Sequence, residues 1–228
     1  MKPELHHIGR AESPLVVVDG VSGALEEIVD IAAELAPFDR RHGSYYPGLR
    51  RVIGQSDEKA SAYVDRLLGD ISPFVGGAFD ADGFDLIEAS FSMVTDPPEA
   101  LFPAQRAPHF DSLDPDYLAI LHYLCDTRGT GTAFYRQRDT GIEKVDTDNV
   151  DAFVASAKRD SAKLSGYTVS SNDYFEQVAT VEAVPDRLVI YQGCLLHSGI
   201  IPSGMGFSSD PRAGRLTANF FVQARRGR

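Results

Sequence analysis

The 228-residue chain has no tryptophan and only two cysteines, and its 22 lysines and arginines are outnumbered by 33 aspartates and glutamates. Each shortage excludes something. Two thiols, Cys125 and Cys194, both in apolar strand-like runs, cannot form a cysteine metal site and read as small reduced core residues. A net charge of −11 would repel a polyanion over most of the surface, which argues against nucleic acid and anionic membrane as partners. No apolar run reaches the roughly 18 to 20 residues of a spanning helix. The N-terminus "MKPELHHIGRAESPLVVVDG" offers no signal-peptide core either, so the expected location is the cytoplasm.

What is present suits one globular domain over residues 1–228, since 43% of residues are hydrophobic, 24% are charged and no repeat or low-complexity linker occurs. "PLVVVD", Pro14 to Asp19, reads as a strand. From Ser22, a possible N-cap, Leu25, Ile28, Ala32 and Leu35 recur at helical spacing up to Pro37. A second amphipathic helix is predicted over Ser56 to Gly69, with Ala60, Tyr63, Val64, Leu67 and Leu68 on one side and Gly69 as its stop. Residues 1–83 thus read as a mainly helical N-terminal part. Beyond Gly83, β segments separated by turns follow at 84–95, 117–125, 131–137, 178–184, 187–192, 194–198 and 215–223. Only a helical pattern from Asp148 to Leu164 interrupts them. Helices followed by strands argue for α+β, with a sandwich or barrel as the core. The basic ending, residues 224–228, reads as a solvated tail.

Chemistry first shows in "QRAPHFDSLDPDYLAILHYLCD", where His109-Phe110-Asp111 precedes an apolar run. Six histidines and 22 aspartates in 228 residues produce roughly 0.6 such triplets by chance, so the triplet alone decides nothing. On an extended strand, residues i and i+2 share a face, which sets an imidazole beside a carboxylate as adjacent metal ligands. An iron site of this kind wants a second histidine and open positions for oxygen and substrate. His6 and His7 lie in a terminus expected to fray, His42 precedes the β region, and His122 sits inside "LAILHYL", where packing is the ordinary role. His197 ends "DRLVIYQGCLLHSG" at a strand end, where its ring can project into a barrel mouth.

The next strand, "GRLTANFF", places Arg215, Thr217 and Asn219 on one face and Leu216, Ala218 and Phe220 on the other. An arginine there is costly to bury without an anion, and Arg215 with Thr217 offers the fork and hydroxyl a carboxylate needs. The plain alternative is an edge-strand arginine in solvent.

In this order the His-x-Asp, "LAILHYLCD", the Gly-rich turn with "GTAF", "DRLVIYQGCLLHSG" and "GRLTANFFV" resemble the Fe(II)/2-oxoglutarate-dependent dioxygenase superfamily, in particular its prolyl-hydroxylase-like branch. The likeness spans about residues 84 to 223. It implies a double-stranded β-helix, a jelly-roll or cupin-like distorted barrel, with N-terminal helices packed on one sheet. It implies Fe(II) held by His109, Asp111 and His197, with 2-oxoglutarate as co-substrate and O2 as oxidant. Arg215 and Thr217 would bind the far carboxylate of 2-oxoglutarate, and Tyr123 would add a phenol. Eighteen positions separate His197 from Arg215, more than the branch usually has, so residues 199–214 read as an inserted loop and Arg212 is a rival for Arg215. The turn "TRGTGTAF" also lacks an adjacent Gly-Gly pair.

The resemblance implies hydroxylation of a substrate C–H bond with release of succinate and CO2. Because Asp111 is a carboxylate, no ligand position is vacant for a halide. A non-catalytic cupin-like metal or ligand binder is the alternative, and it would not need Arg215. Tyr46 and Arg50, from the irregular "RRHGSYYPGLRR", together with Arg106, Arg136 and Asn219, are candidates to meet a small anionic or amino-acid-like substrate. The oligomeric state has no signature in the sequence.

Overall fold

In this computed structural model the described residues, 1–40 and 45–227, form ten strands in two antiparallel sheets. Arg41, His42 and Arg228 lie outside the described residues. The chain runs through β1 (Lys2–Ile8), β2 (Ser13–Asp19), α1 (Leu25–Glu34), β3 (Gly48–Val52), α2 (Glu58–Phe79), β4 (Gly83–Val94) and the short α3 (Pro103–Arg106). It continues with β5 (Tyr117–Tyr123), β6 (Gly131–Gln137), α4 (Val150–Ser161), β7 (Phe175–Glu182), β8 (Arg187–Gln192), β9 (His197–Ile200) and β10 (Leu216–Arg225). The large sheet has the order β1-β2-β8-β5-β10-β4-β3 and the small one the order β7-β6-β9.

Strand alternation divides the large sheet into two working faces. On one face Val16, Ile120, Ile190, Ala218 and Phe220 pack against Ile28 of α1 and Tyr63, Leu67 and Ile71 of α2. On the other, Leu15, Ala119, Val189 and Tyr191 meet Phe134 and Val181 of the small sheet. The two N-terminal helices therefore cover one side of a two-sheet core, and α4 packs on the small sheet through Phe153, Ala133 and Phe175. Among the described residues no helix is long and apolar enough to cross a membrane.

The N-terminal part is less purely helical than its periodicity suggests, because it contributes β1, β2 and β3 to the large sheet. β1 leaves no apolar signature because it pairs only with β2 and exposes every residue before Ile8. Helix α2 does not stop at Gly69 but continues through Pro73 to Phe79, since Ile71, Val75 and Phe79 prolong its buried stripe. Pro73 sits on the exposed side, where it removes one backbone bond, to the Gly69 carbonyl, and no buried side chain. Ser22 does not cap α1, whose N-cap is Ala24; its hydroxyl donates instead to Asp186. The basic end is not a free tail either: Arg225 belongs to β10 and faces Asp85, and Arg226 pairs with Asp116 at 2.8 Å.

One polar chain runs through the helix-covered core. Tyr63 donates its hydroxyl to His122 Nδ1 at 2.7 Å, and His122 Nε2 meets Asp186 at 2.9 Å. Asp186 also accepts from the Ser22 hydroxyl and from the backbone N–H groups of Ser22 and Gly23. Burial keeps His122 below its ordinary pKa against the opposing Asp186 bond, so the ring is neutral, with its proton on Nε2. Burial would raise the Asp186 carboxyl, but its bonds to His122, Ser22 and Gly23 outweigh that and hold it below the carboxylate range.

Asp186→Asn tests this chain cleanly, because asparagine tolerates the positive φ of 62° at this position. The variant is expected to lose about 1–3 kcal/mol of stability at neutral pH, measured as the urea midpoint. A depressed carboxyl pKa contributes stability above its unfolded value of about 3.9 and loses it as pH falls toward the native value. The difference between wild type and variant should therefore shrink below about pH 4.

Candidate metal centre

A cavity of about 660 Å³ opens between the sheets, and His109, Asp111 and His197 line it together with Arg215, Thr217 and Asn219. The His-x-Asp segment is not part of a long strand. It is laid against β9 by a two-sided bridge in which His109 N–H donates to the His197 carbonyl at 2.9 Å and His197 N–H returns the bond at 2.8 Å. Asp111 N–H then donates to the Gly193 carbonyl at 2.7 Å. A β-carbon on Gly193 would lie 2.7 Å from the Tyr117 ring and 3.3 Å from Asp111 Cβ, so the close approach needs glycine here.

This backbone frame brings one donor atom from each of the three side chains within 4.8 Å of the others. His109 Nε2 is 3.9 Å from one Asp111 oxygen and His197 Nε2 is 3.6 Å from the other. The two imidazole centres are 4.4 Å apart. His197 Nδ1 lies 2.9 Å from the Leu195 carbonyl, which can only accept, so the proton belongs on Nδ1 and the Nε2 lone pair is left facing Asp111. His109 leaves 56% of its side chain accessible, but that surface faces the concavity and protein surrounds the ring. This enclosure, with the neighbouring His197 next in effect, brings its pKa down to about 4. Two imidazoles and a carboxylate form a donor set able to hold a divalent transition metal.

Arg215 sits at the base of β10 with only 4% of its surface exposed. Its Nη2 donates to the Gly131 carbonyl at 3.0 Å, and its guanidinium carbon lies 6.0 Å from the centre of the Tyr123 ring. Its Nε has no hydrogen-bond partner, and no carboxylate pairs with it among the described residues. A buried cation of this kind calls for an anion from outside the chain. The rival Arg212 lies at the surface, ion-paired with Asp30 at 2.7 Å.

The other expected residues divide. Thr217 and Asn219 follow Arg215 along the cavity face, and Asn219 Nδ2 lies 3.4 Å from Thr217 Oγ1. Arg50 reaches the cavity between Glu88 at 2.9 Å and the face of Phe221 at 5.4 Å. Tyr46 is half-buried in the wall with its phenol oxygen enclosed, and burial pushes that phenol up to about 12 against the pull of the Arg215 and Arg50 cations. The Tyr123 hydroxyl is bonded to Thr132 at 2.7 Å, so in this structure the ring, not the phenol oxygen, meets Arg215. Arg106 and Arg136 do not line the cavity. Arg106 is held by the carbonyls of Leu101 and Leu164, and Arg136, opposite Glu176 on β7, is bonded to Glu143 and Glu176. The sequence reading missed Thr132, Ser92, Tyr167 and the α4 face, all of which line the cavity. Nothing in their local pattern marks them apart from ordinary strand, loop and helix positions.

Residues 1–222 match a family described as "Family of unknown function (DUF6445)". Among curated proteins, none matches the chain. Several solved structures share its fold. A non-heme alpha ketoglutarate dependent epimerase, SnoN from nogalamycin biosynthesis, aligns with a TM-score of 0.57 at 15% identity, over 94% of this chain and 82% of that one. HygX from Streptomyces hygroscopicus, solved with nickel and 2-oxoglutarate bound, gives 0.52 at 16% identity, over 93% and 83%. A prolyl hydroxylase from Trichoplax adhaerens, in complex with a hypoxia inducible factor oxygen degradation domain peptide, gives 0.51 at 13%, over 92% and 83%. The fold is thus that of the Fe(II)/2-oxoglutarate oxygenases, and the chain belongs to the family of unknown function DUF6445.

Proposed function

We propose that the chain is an Fe(II)- and 2-oxoglutarate-dependent oxygenase on a double-stranded β-helix, hydroxylating a C–H bond of a small or amino-acid-like molecule. One observation carries the reading: the His109, Asp111 and His197 donor set opens onto the same cavity as a buried guanidinium that has no counter-charge among the described residues. His109, Asp111 and His197 would hold the metal in the two-histidine, one-carboxylate pattern suited to Fe(II). Arg215 and Thr217 would take the far carboxylate of 2-oxoglutarate, with Tyr123 supporting the guanidinium through its ring. When bound, iron, 2-oxoglutarate and O2 supply an oxidative decarboxylation to succinate and CO2 that is coupled to oxidation of the substrate. HygX, which carries nickel and 2-oxoglutarate on the same fold, supports this choice of co-substrate.

The chain's own contribution is orientation. Leu195 fixes the His197 tautomer, Gly193 holds the Asp111 backbone, and Gly131 aims Arg215. Asp111 supplies a carboxylate where a halogenating variant would leave a vacancy. The free thiols Cys125 and Cys194 suit a reducing compartment, the cytoplasm. A non-catalytic cupin-like binder would need the three ligands but gives Arg215 no anion to bind.

Anaerobic titration with Fe(II) and then 2-oxoglutarate is expected to produce the weak visible charge-transfer band of the chelate. Absence of that band in the wild-type protein would sink the oxygenase reading. Asp111→Ala is expected to lose the band at Fe(II) levels that saturate wild type, whereas Asp114→Ala, on the neighbouring exposed turn, should keep it.

Arg215→Leu separates binding from folding. Hydrogen bonds to charged groups contribute about 1.5–3 kcal/mol, so 2-oxoglutarate affinity should fall about tenfold to a hundredfold. The apo variant should melt no lower than wild type, because it removes a buried cation without a counter-charge. A large drop in apo melting temperature would mean that the guanidinium is structural.

A further inference from the structure

Resting on the oxygenase reading, we infer that the outer part of the cavity is a subsite for an organic anion with an apolar body, its charge read by Lys158 of α4. Among the described residues, four charged side chains line the cavity: Arg50, Asp111, Lys158 and Arg215. Three cations against one carboxylate reverse the balance of a chain whose net charge is −11. Three of these charges already have work. Asp111 is assigned to the metal, Arg215 to the co-substrate, and Arg50 is neutralised by Glu88 and stacked on Phe221.

Lys158 is left. It pairs with no carboxylate among the described residues, although the cations beside it do: Arg159 binds Asp139 at 2.7 Å and Lys163 approaches Asp160 at 3.8 Å. Its position is also specific. Val154, Ala157, Lys158 and Ser161 follow the spacing of one helix face, and all four line the cavity. Beside them Phe153 packs edge-on to Phe110 with ring centres 5.7 Å apart, and Phe110 is the residue between the two proposed metal ligands of the triplet. An apolar body lying along Phe110, Phe153 and Val154 would therefore run from the metal centre to the lysine. Because the rest of the surface is acidic, this cation is the local attraction for an incoming acid, and its effect should fade with salt. A cationic or neutral molecule of the same shape gains nothing from it.

The test uses the full chain, without added metal, and calorimetric binding of phenylbutyrate, phenylethyl phosphate, phenylbutyramide and phenylbutylamine. The two anions are expected to bind, with the amide and the amine weaker. Lys158→Met should weaken the anions by about fivefold, within the range of an exposed ion pair, and Lys158→Glu should weaken them further. Because Arg215 is itself an open anion site when 2-oxoglutarate is absent, the Lys158 comparison is repeated in the Arg215→Leu background, where the same weakening should remain. Tighter binding of the phosphate would identify a phosphate ester as the source of the charge, and tighter binding of phenylbutyrate a carboxylate. If neither anion binds, or if Lys158→Glu binds them like wild type in either background, the subsite is overturned. The Fe(II) and 2-oxoglutarate band keeps the two readings apart. A band that survives Lys158→Glu while anion binding ignores it sinks the subsite alone; Lys158-dependent binding without a band sinks the oxygenase alone.

Discussion

The arrangement of the inner face depends on one cost, a guanidinium buried at Arg215 with no counter-charge among the described residues. Such a charge in the interior costs several kcal/mol when unpaired. Only a scaffold stabilised elsewhere can carry it. The stabilising work is done on the opposite face of the same strand, where Leu216, Ala218, Phe220 and Val222 are buried in the core beneath α1 and α2. β10 thus alternates residue by residue between holding the fold together and presenting the cavity. A shift of register by one residue would exchange the two sets, so the central position of β10, paired on both sides with β5 and β4, protects the site as much as the sheet.

That alternation explains what could be read from the sequence. Arg215, Thr217 and Asn219 were legible because a strand covered on both faces must declare which side each residue takes. His109 and Asp111 became legible only with His197, since three donors distant in sequence need a reason to meet. The structure supplies the reason as a backbone bridge between His109 and His197, a contact that no local pattern announces. Arg106 and Arg136 were misplaced for a related cause. Their places beside the triplet and on a neighbouring strand made them candidates, but could not show that the Leu101 and Leu164 carbonyls or Glu143 and Glu176 would take them first. β1 was illegible because an exposed edge ribbon has no buried face to pattern. The continuation of α2 was hidden by a glycine and a proline that the buried Ile71, Val75 and Phe79 outweigh.

The same contrast separates two buried polar groups that resemble each other in composition. The Tyr63, His122 and Asp186 chain lies under the helices, every member has a partner, and its charge is balanced by hydrogen bonds within the protein. It fixes how α2 and the loop before β8 meet the sheet. Arg215 lies on the cavity side and keeps a donor unused. A satisfied network belongs to the fold, whereas an incomplete one facing a cavity points outward, to a ligand. His122, although a histidine on the strand next to the site, falls in the first class by this criterion.

The distribution of charge extends the argument from residues to the whole molecule. An acidic surface keeps polyanions away and would slow any acid that approached at random, so an enzyme for acidic substrates needs its positive charge where the field is focused, inside a concave, low-dielectric wall. The cavity meets that condition with Arg50, Lys158 and Arg215. Their environments grade them: Arg215 is enclosed, Arg50 is half-buried and paired, and Lys158 stands on the outward part of α4. A charge read deep in the pocket must be the same for every turnover, as a co-substrate is. A charge read by a solvated lysine tolerates variation in the molecule that carries it. On the proposed reading the inner cation would set the co-substrate, and the outer one would sort substrates by the sign of their charge before their shape is tested.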